Sequence, residues 1–443
     1  MAGSGSFQGA QGAQGAQGAQ GAQGAQGAQG AQGAAAWIPH FHQPIAASPA
    51  ATLTPGADPA AAFALTSSRE ELVSRRRAES WQPPRKHGTA PDGLPPIHDI
   101  ARFDEWADDI RVENCVTELM QPLHLSVSAA GVFSARHVVP PHPGCGPSAT
   151  VDLHQIVQLS RPPAALFDKQ TQHVFDMSDL RNERMAEIVN QIGIPMQFWA
   201  SIVDLNTTSK PRTLELLSIA LTALSHVNQF AKHAFGCPRP TAYSPSIQPM
   251  INPRRFGAFP CGHAAEAFLV ARLLLELSGQ RSFELDRSGK RRLDEHGRPR
   301  EEKLRQQLQR LAKRISDNRV VAGVHFQIDN VAGRMVGDTL AEYVLHRCQG
   351  GGWQARKFVG EKTMDGTDPW PELLKDFDRH QPMDTLHIDQ QALAPYFEPL
   401  DYEQPNATEY LIDQDLAVKS MRQTLLQRAW QRARAEWADW HRS

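Results

Sequence analysis

The sequence predicts a mainly α protein, a helical bundle that follows a low-complexity tail. Residues 212–235 set Leu214, Leu217, Ile219, Leu221, Leu224, Val227 and Phe230 at helical spacing, which gives one broad apolar face. Residues 261–277 are apolar nearly all round, the pattern of a buried helix. Residues 9–32 repeat Gly-Ala-Gln eight times, and such a segment buries almost nothing.

From these patterns, residues 1–36 are expected to be a disordered tail, with a trimerising stalk as the alternative reading of a glycine at every third position. Residues 37–95, rich in Pro, Ala and Arg, read as a poorly ordered arm. His40 and His42 lie there without a carboxylate or cysteine partner nearby, so no metal site is expected from them. Residues 96–443 are read as one helical domain.

Within that domain, 123–127 and 132–139 have the β-branched composition of short strands, and the turn-rich 140–147 follows them. Helical periodicity is expected after Met177. The helix over 212–235 ends where Gly236 caps it and Pro238 and Pro240 forbid its continuation. The next begins near Cys261 and runs to Leu277. Residues 279–303 mix arginines with Glu284, Asp286, Asp294 and Glu295 and read as an exposed charged excursion rather than a nucleic-acid surface. Helices follow over 302–317 and 325–347. A last amphipathic helix over 414–440, with Trp430, Trp437 and Trp440, is expected to pack on the body or to bind a partner.

The 443 residues are ample for a sizeable core, and a formal net charge of −2 gives no global field to recruit nucleic acid. The five cysteines, Cys115, Cys145, Cys237, Cys261 and Cys348, are widely spaced and contain no CxxC pair, which suits a reducing compartment. The sequence shows neither a secretion signal nor a spanning segment, since the longest apolar run, 268–277, is broken by Arg272 and Glu276. The expectation is a soluble, cytoplasmic protein. Its oligomeric state is left open.

Three fragments within 232–329 carry the chemistry. Lys232 ends its helix, and Arg239 follows between two prolines that stiffen its backbone. A lysine gives a compact charge and a guanidinium two parallel donors, a pair suited to a tetrahedral oxyanion such as phosphate or vanadate. Pro260-Cys261-Gly262-His263 sits where a loop enters a helix, where free N–H groups favour anions and His263 is placed to move a proton. Arg319, His325 and Asp329 form the third fragment. If the helix has begun by His325, the four-residue spacing puts His325 and Asp329 on one face, so that Asp329 holds Nδ1–H and leaves Nε2 free. Each fragment alone reads first as ordinary structure: surface cations near a helix end, a helix start with a satisfied histidine, and a structural His–Asp hydrogen bond.

Together they resemble the three-part signature of the type-2 phosphatidic acid phosphatase and vanadium-dependent haloperoxidase superfamily. That signature runs Lys, six residues, Arg-Pro; then Pro-Ser-Gly-His; then Ser-Arg, five residues, His, three residues, Asp. Here it reads Lys232 to Arg239-Pro240, then Pro260-Cys261-Gly262-His263, then Asn318-Arg319 to His325 and Asp329. The resemblance covers about 232–329 and implies a helical bundle of that superfamily's type. It also implies that Lys232, Arg239, Arg319 and the Gly262 amide bind the oxyanion, with Cys261 at the position of the usual serine donor. His263 would be the acid–base residue, Asp329 would orient His325, and His325 would be either the phosphoryl nucleophile or the protein ligand of vanadate.

Cys261 and Asn318 each stand where the signature has serine, and a thiol is a weak donor, open to oxidation beside peroxide chemistry. Chain length and helical content favour the haloperoxidase branch of the superfamily, which uses vanadate, hydrogen peroxide and halide. Phe256 resembles the chloroperoxidase type and is assigned to the halide or substrate pocket, whereas Gln229 stands where haloperoxidases often carry an aromatic residue. The alternative is a soluble, metal-free phosphatase that needs no cofactor and cleaves a phosphate ester through a phosphohistidine. A non-catalytic oxyanion-binding protein is the third reading.

Overall fold

A computed structural model describes residues 99–139, 151–253, 256–279, 290, 292–293, 303–358, 397–399, 423–438 and 440. The tail and arm assigned to 1–36 and 37–95, with His40 and His42, the turn at 140–147, Cys145 and most of the 279–303 excursion lie outside them.

The fold is mainly helical, as the periodicity predicts, with a small sheet at one side. Helix α1 (Asp108–Met120) leads into strands β1 (Leu123–Val127), β2 (Val132–Val139) and β3 (Asp152–Ser160). Next come α2 (Ala164–Met177), α3 (Arg181–Asn190), α4 (Met196–Val203) and the long α5 (Pro211–Phe235). Helices α6 (Gly262–Ser278), α7 (Lys303–Val321) and α8 (Gln327–Gln349) complete the centre, followed by β4 (Arg356–Phe358), β5 (Phe397–Pro399) and α9 (Leu425–Ala435).

The two expected strands have the bounds read from their sequence. Three more join them in the order β1-β2-β3-β4-β5, antiparallel except for the parallel β3–β4 pair. Helical structure also starts before Met177, because α2 already buries Leu166, Phe167, Val174 and Met177. The sheet leans on the C-terminal end of α5, where Phe133 meets Phe230 and Phe235, and Phe358 of β4 meets Phe259 just ahead of α6.

Helix α6 is the centre of the bundle, packed chiefly on α8 and α7. Its crossing with α8 is backbone to backbone. A Cβ at Gly333 would collide with the Cys261 carbonyl, and one at Gly337 with the Ala265 carbonyl. Two glycines one turn apart therefore let the start of α6 settle onto α8. The contact is tightened by the Cys261 N–H, which donates to the Asp329 carbonyl at 2.8 Å.

The C-terminal helix packs on the body. Glu436, just past α9, accepts from the Arg212 and Thr213 N–H groups at 2.6 and 2.8 Å and from the Thr213 hydroxyl at 2.8 Å, capping α5. Trp437 Nε1 donates to that hydroxyl at 2.9 Å. Its described part is shorter than the 414–440 expected. Among the described residues, no helix is long and apolar enough to cross a membrane.

Candidate active site

Helix α5 ends at Gly236, whose φ of 57° and N–H bond to the Lys232 carbonyl close the last turn. That turn carries Lys232, 2% exposed, whose Nζ donates to the Gly257 and Ala258 carbonyls at 3.0 and 2.8 Å. Two of its three protons are thus used on the loop before α6, a structural task absent from the sequence reading. Burial, ahead of the Arg239 charge, lowers Lys232 to about 8.

Arg239 lies beyond the helix break. Its Nη1 donates to the Val324 carbonyl at 2.7 Å and lies 2.8 Å from His325 Nε2, while its Nε donates to the Phe256 carbonyl at 3.3 Å. The Phe256 ring sits 5.3 Å from both Lys232 Nζ and the Arg239 guanidinium carbon, a cation–π lid over the two charges.

Cys261 is the N-cap residue of α6 and is fully buried, so Gly262 and His263 form its first turn. Burial pushes the thiol up to about 11, against the pull of Lys232. It is therefore neutral at ordinary pH. His263 is half-buried and its Nε2 donates to the Ile192 carbonyl at 3.2 Å.

Helix α7 runs past the expected end at 317, and its last turn carries Asn318 and Arg319. Arg319 is 1% exposed, and burial lowers it to about 10. Its Nη2 donates to the Ile188 carbonyl at 3.2 Å and reaches Gln191 Oε1 at 3.4 Å. Its Nε and Nη1 are buried without a partner.

His325 does not lie on the helix, as the four-residue spacing suggested. It precedes α8, whose N-cap is Phe326. The pairing with Asp329 arises another way. Asp329 sits in the first turn and its Oδ2 turns back to accept from the Phe326 N–H at 2.9 Å and from His325 Nδ1 at 3.0 Å. Since Arg239 can only donate to Nε2 and the carboxylate accepts at Nδ1, the ring proton sits on Nδ1 and the Nε2 lone pair faces the guanidinium. Burial, then the charges of Arg239, Lys232, His263 and Arg319, hold His325 well below the usual histidine range. Burial raises Asp329 to about 6, with the Phe326 N–H, Lys232 and Arg239 opposing.

All three fragments therefore meet: the charges of Lys232, Arg239, His263 and Arg319 act on one imidazole. Several neighbours were missed. Glu266, one turn beyond Gly262, acts electrostatically on both Lys232 and Arg319, and the Asn228 amide, one turn before Lys232, crowds Gly262. Both stand four residues from a recognised site residue, a spacing that was legible. Gln191, at the end of α3, has no such signal.

The family model described as the PAP2 superfamily matches residues 213–350, a span that begins in α5 and ends just past α8. No curated protein matches the chain.

Proposed function

We propose that this protein hydrolyses phosphate esters through a phosphohistidine on His325. The observation that carries the reading is the neutral, single-tautomer His325, with Nδ1–H on Asp329 and the Nε2 lone pair against Arg239. The superfamily that matches 213–350 includes phosphatases and haloperoxidases.

In this reading His325 Nε2 attacks phosphorus while the bond to the ester oxygen breaks. Protonated His263 gives its proton to that leaving oxygen. Water then attacks phosphorus, His263 takes the proton released, and phosphate departs as His325 recovers its lone pair. Asp329 offsets the positive charge that the imidazole acquires. Arg239 and Arg319 face the equatorial oxygens, where preorganised donors act most strongly in a buried setting.

Cys261 sets an oxidisable thiol where the signature has serine, and hydrolysis, unlike peroxide chemistry, forms no oxidant beside it. A specific observation favours haloperoxidation as the second reading: Phe256 covers Lys232 and Arg239 and gives an apolar wall beside the charges. The residues fit vanadate as well as phosphate, since Arg319 keeps two buried unpartnered donors and His325 Nε2 bears a lone pair. His325 would hold the group, with Lys232, Arg239 and Arg319 around its oxygens. Bound vanadate supplies a Lewis-acidic centre that activates hydrogen peroxide toward halide.

The test is hydrolysis of p-nitrophenyl phosphate by the purified chain, with acid-labile phosphohistidine trapped during turnover. Both should vanish in His325→Ala, and orthovanadate should inhibit. Turnover at the wild-type level in His325→Ala would falsify the mechanism. Bromide oxidation by peroxide that appears only after vanadate loading would move the assignment to the second reading. Vanadate binding without either turnover would leave an oxyanion-binding protein.

A further inference from the structure

Gln191 ends α3, is 0% exposed and touches the site from outside the three recognised fragments. Its Oε1 accepts from Asn318 Nδ2 at 2.9 Å and from Arg319 Nη2 at 3.4 Å. The amide orientation is fixed by this pair. Asn318 also presents Nδ2 to the Glu187 carboxylate at 3.0 Å, so that nitrogen is a donor, and Arg319 can only donate. The oxygen of Gln191 must face them both.

Its Nε2 is left buried and without a partner. Arg319 Nε and Nη1, on the guanidinium that Gln191 touches, are in the same condition. Three neighbouring buried donors therefore lack any acceptor. A buried orphan donor costs about 1–3 kcal/mol, so such a group in a native fold calls for an explanation. An oxyanion supplies acceptors to all three. The following residue points the same way, because the Ile192 carbonyl receives His263 Nε2 at 3.2 Å. The turn after α3 thus reaches both the cation and the acid–base histidine.

We propose that Gln191 is a further residue of the oxyanion site, in which Oε1 positions Arg319 and Nε2–H donates to the bound oxyanion. It is the neutral donor that this chain uses where Cys261 offers only a weak thiol. The inference rests on the oxyanion site described under the proposed function.

The test is calorimetric titration with inorganic phosphate, with orthovanadate as a second probe, on the full chain. Gln191→Met should bind phosphate at least about tenfold more weakly, the size of one lost hydrogen bond to a charged group. Gln191→Glu keeps an acceptor for Asn318 and Arg319 but loses the donor, so it should fold as the wild type does and bind worse still. Adding Cys261→Ser to Gln191→Met should recover most of the loss, because a serine hydroxyl restores a neutral donor. A purely structural role predicts no such rescue. Wild-type affinity in either single variant, or a loss that Cys261→Ser leaves untouched, overturns the proposal. If the wild-type chain itself binds neither anion, the oxyanion site is wrong, and that result is distinct from a failure at Gln191 alone.

Discussion

Arg239 Nη1 lies 2.8 Å from His325 Nε2, so the guanidinium suited to hold an oxyanion also covers the lone pair suited to attack it. An oxyanion entering the cage competes for those protons and uncovers Nε2 as it is bound. Arg239→Ala should therefore have two effects. Oxyanion affinity should fall by about 1.5–3 kcal/mol, or roughly 10- to 150-fold, the range for hydrogen bonds to charged groups. The His325 pKa should rise toward the ordinary histidine value, because the Arg239 charge is second only to burial in depressing it. Histidine side-chain NMR titration reads the second effect without needing turnover.

Hydrolysis should follow a bell in kcat/KM, with limbs set by Asp329 near 6 and Lys232 near 8. Below the lower limb Asp329 is protonated and can offer Nδ1 a donor in place of an acceptor, so the tautomer with Nδ1–H and a bare Nε2 is no longer held. Above the upper limb Lys232 loses its charge and the cage weakens. Stability runs the other way. Asp329 is raised, so its contribution is complete below its usual 3.8 and is lost as pH rises through about 6. Lys232 is lowered, so its contribution is complete above its usual 10.5 and is lost as pH falls through about 8. Between those limbs both groups are charged at a cost to the fold, and phosphate should raise the Tm most there. A thermal shift that is flat from pH 5 to 9 would contradict this assignment.

Gly333→Ala and Gly337→Ala each drive a methyl into backbone of α6, at the Cys261 and Ala265 carbonyls respectively. Backbone cannot swing aside as a long side chain can, so each change should cost about 1–3 kcal/mol in urea unfolding, the usual range for overpacking. Their effects on function should differ. Gly333 backs directly onto the residue before Gly262, so its variant should lose oxyanion affinity even where it remains folded. Gly337 lies one turn further along and should affect stability more than binding.

Much of the site was legible because its residues are tied to local signals. Proline and glycine mark the break between Lys232 and Arg239, and the loop-to-helix step at Cys261 is set by Pro260 and the apolar run that follows. Helices α5, α6 and α8 begin and end within about two residues of their sequence-based bounds, because each combines a strong apolar pattern with a glycine stop. What sequence could not show is tertiary. β3 opens on the exposed polar Asp152 and gains its place by pairing with β2 on one side and β4 on the other. His325 meets Asp329 through a carboxylate that turns back on a helix start rather than through a shared helix face. Gln191 reaches Arg319 across 128 residues of chain, with no spacing rule to announce it.

Glu436 ties the end of the described chain to the start of α5, and this contact should matter to the site at the other end of that helix. Two backbone N–H groups and one hydroxyl converge on its carboxylate, and an acid beside a helix start also meets the positive end of the helix dipole. Glu436→Ala leaves those groups with no acceptor from this side chain and should cost about 0.5–2 kcal/mol, the range measured for lost caps. Glu436→Gln keeps an acceptor and should recover part of it. Lys232 is in the last turn of the same helix, but α5 is held along its length by buried apolar residues from Leu214 to Phe235. Phosphate affinity in the folded fraction of Glu436→Ala should therefore stay within about twofold of wild type, while urea unfolding shifts. A parallel loss of affinity would show instead that the C-terminal helix sets the position of the cage.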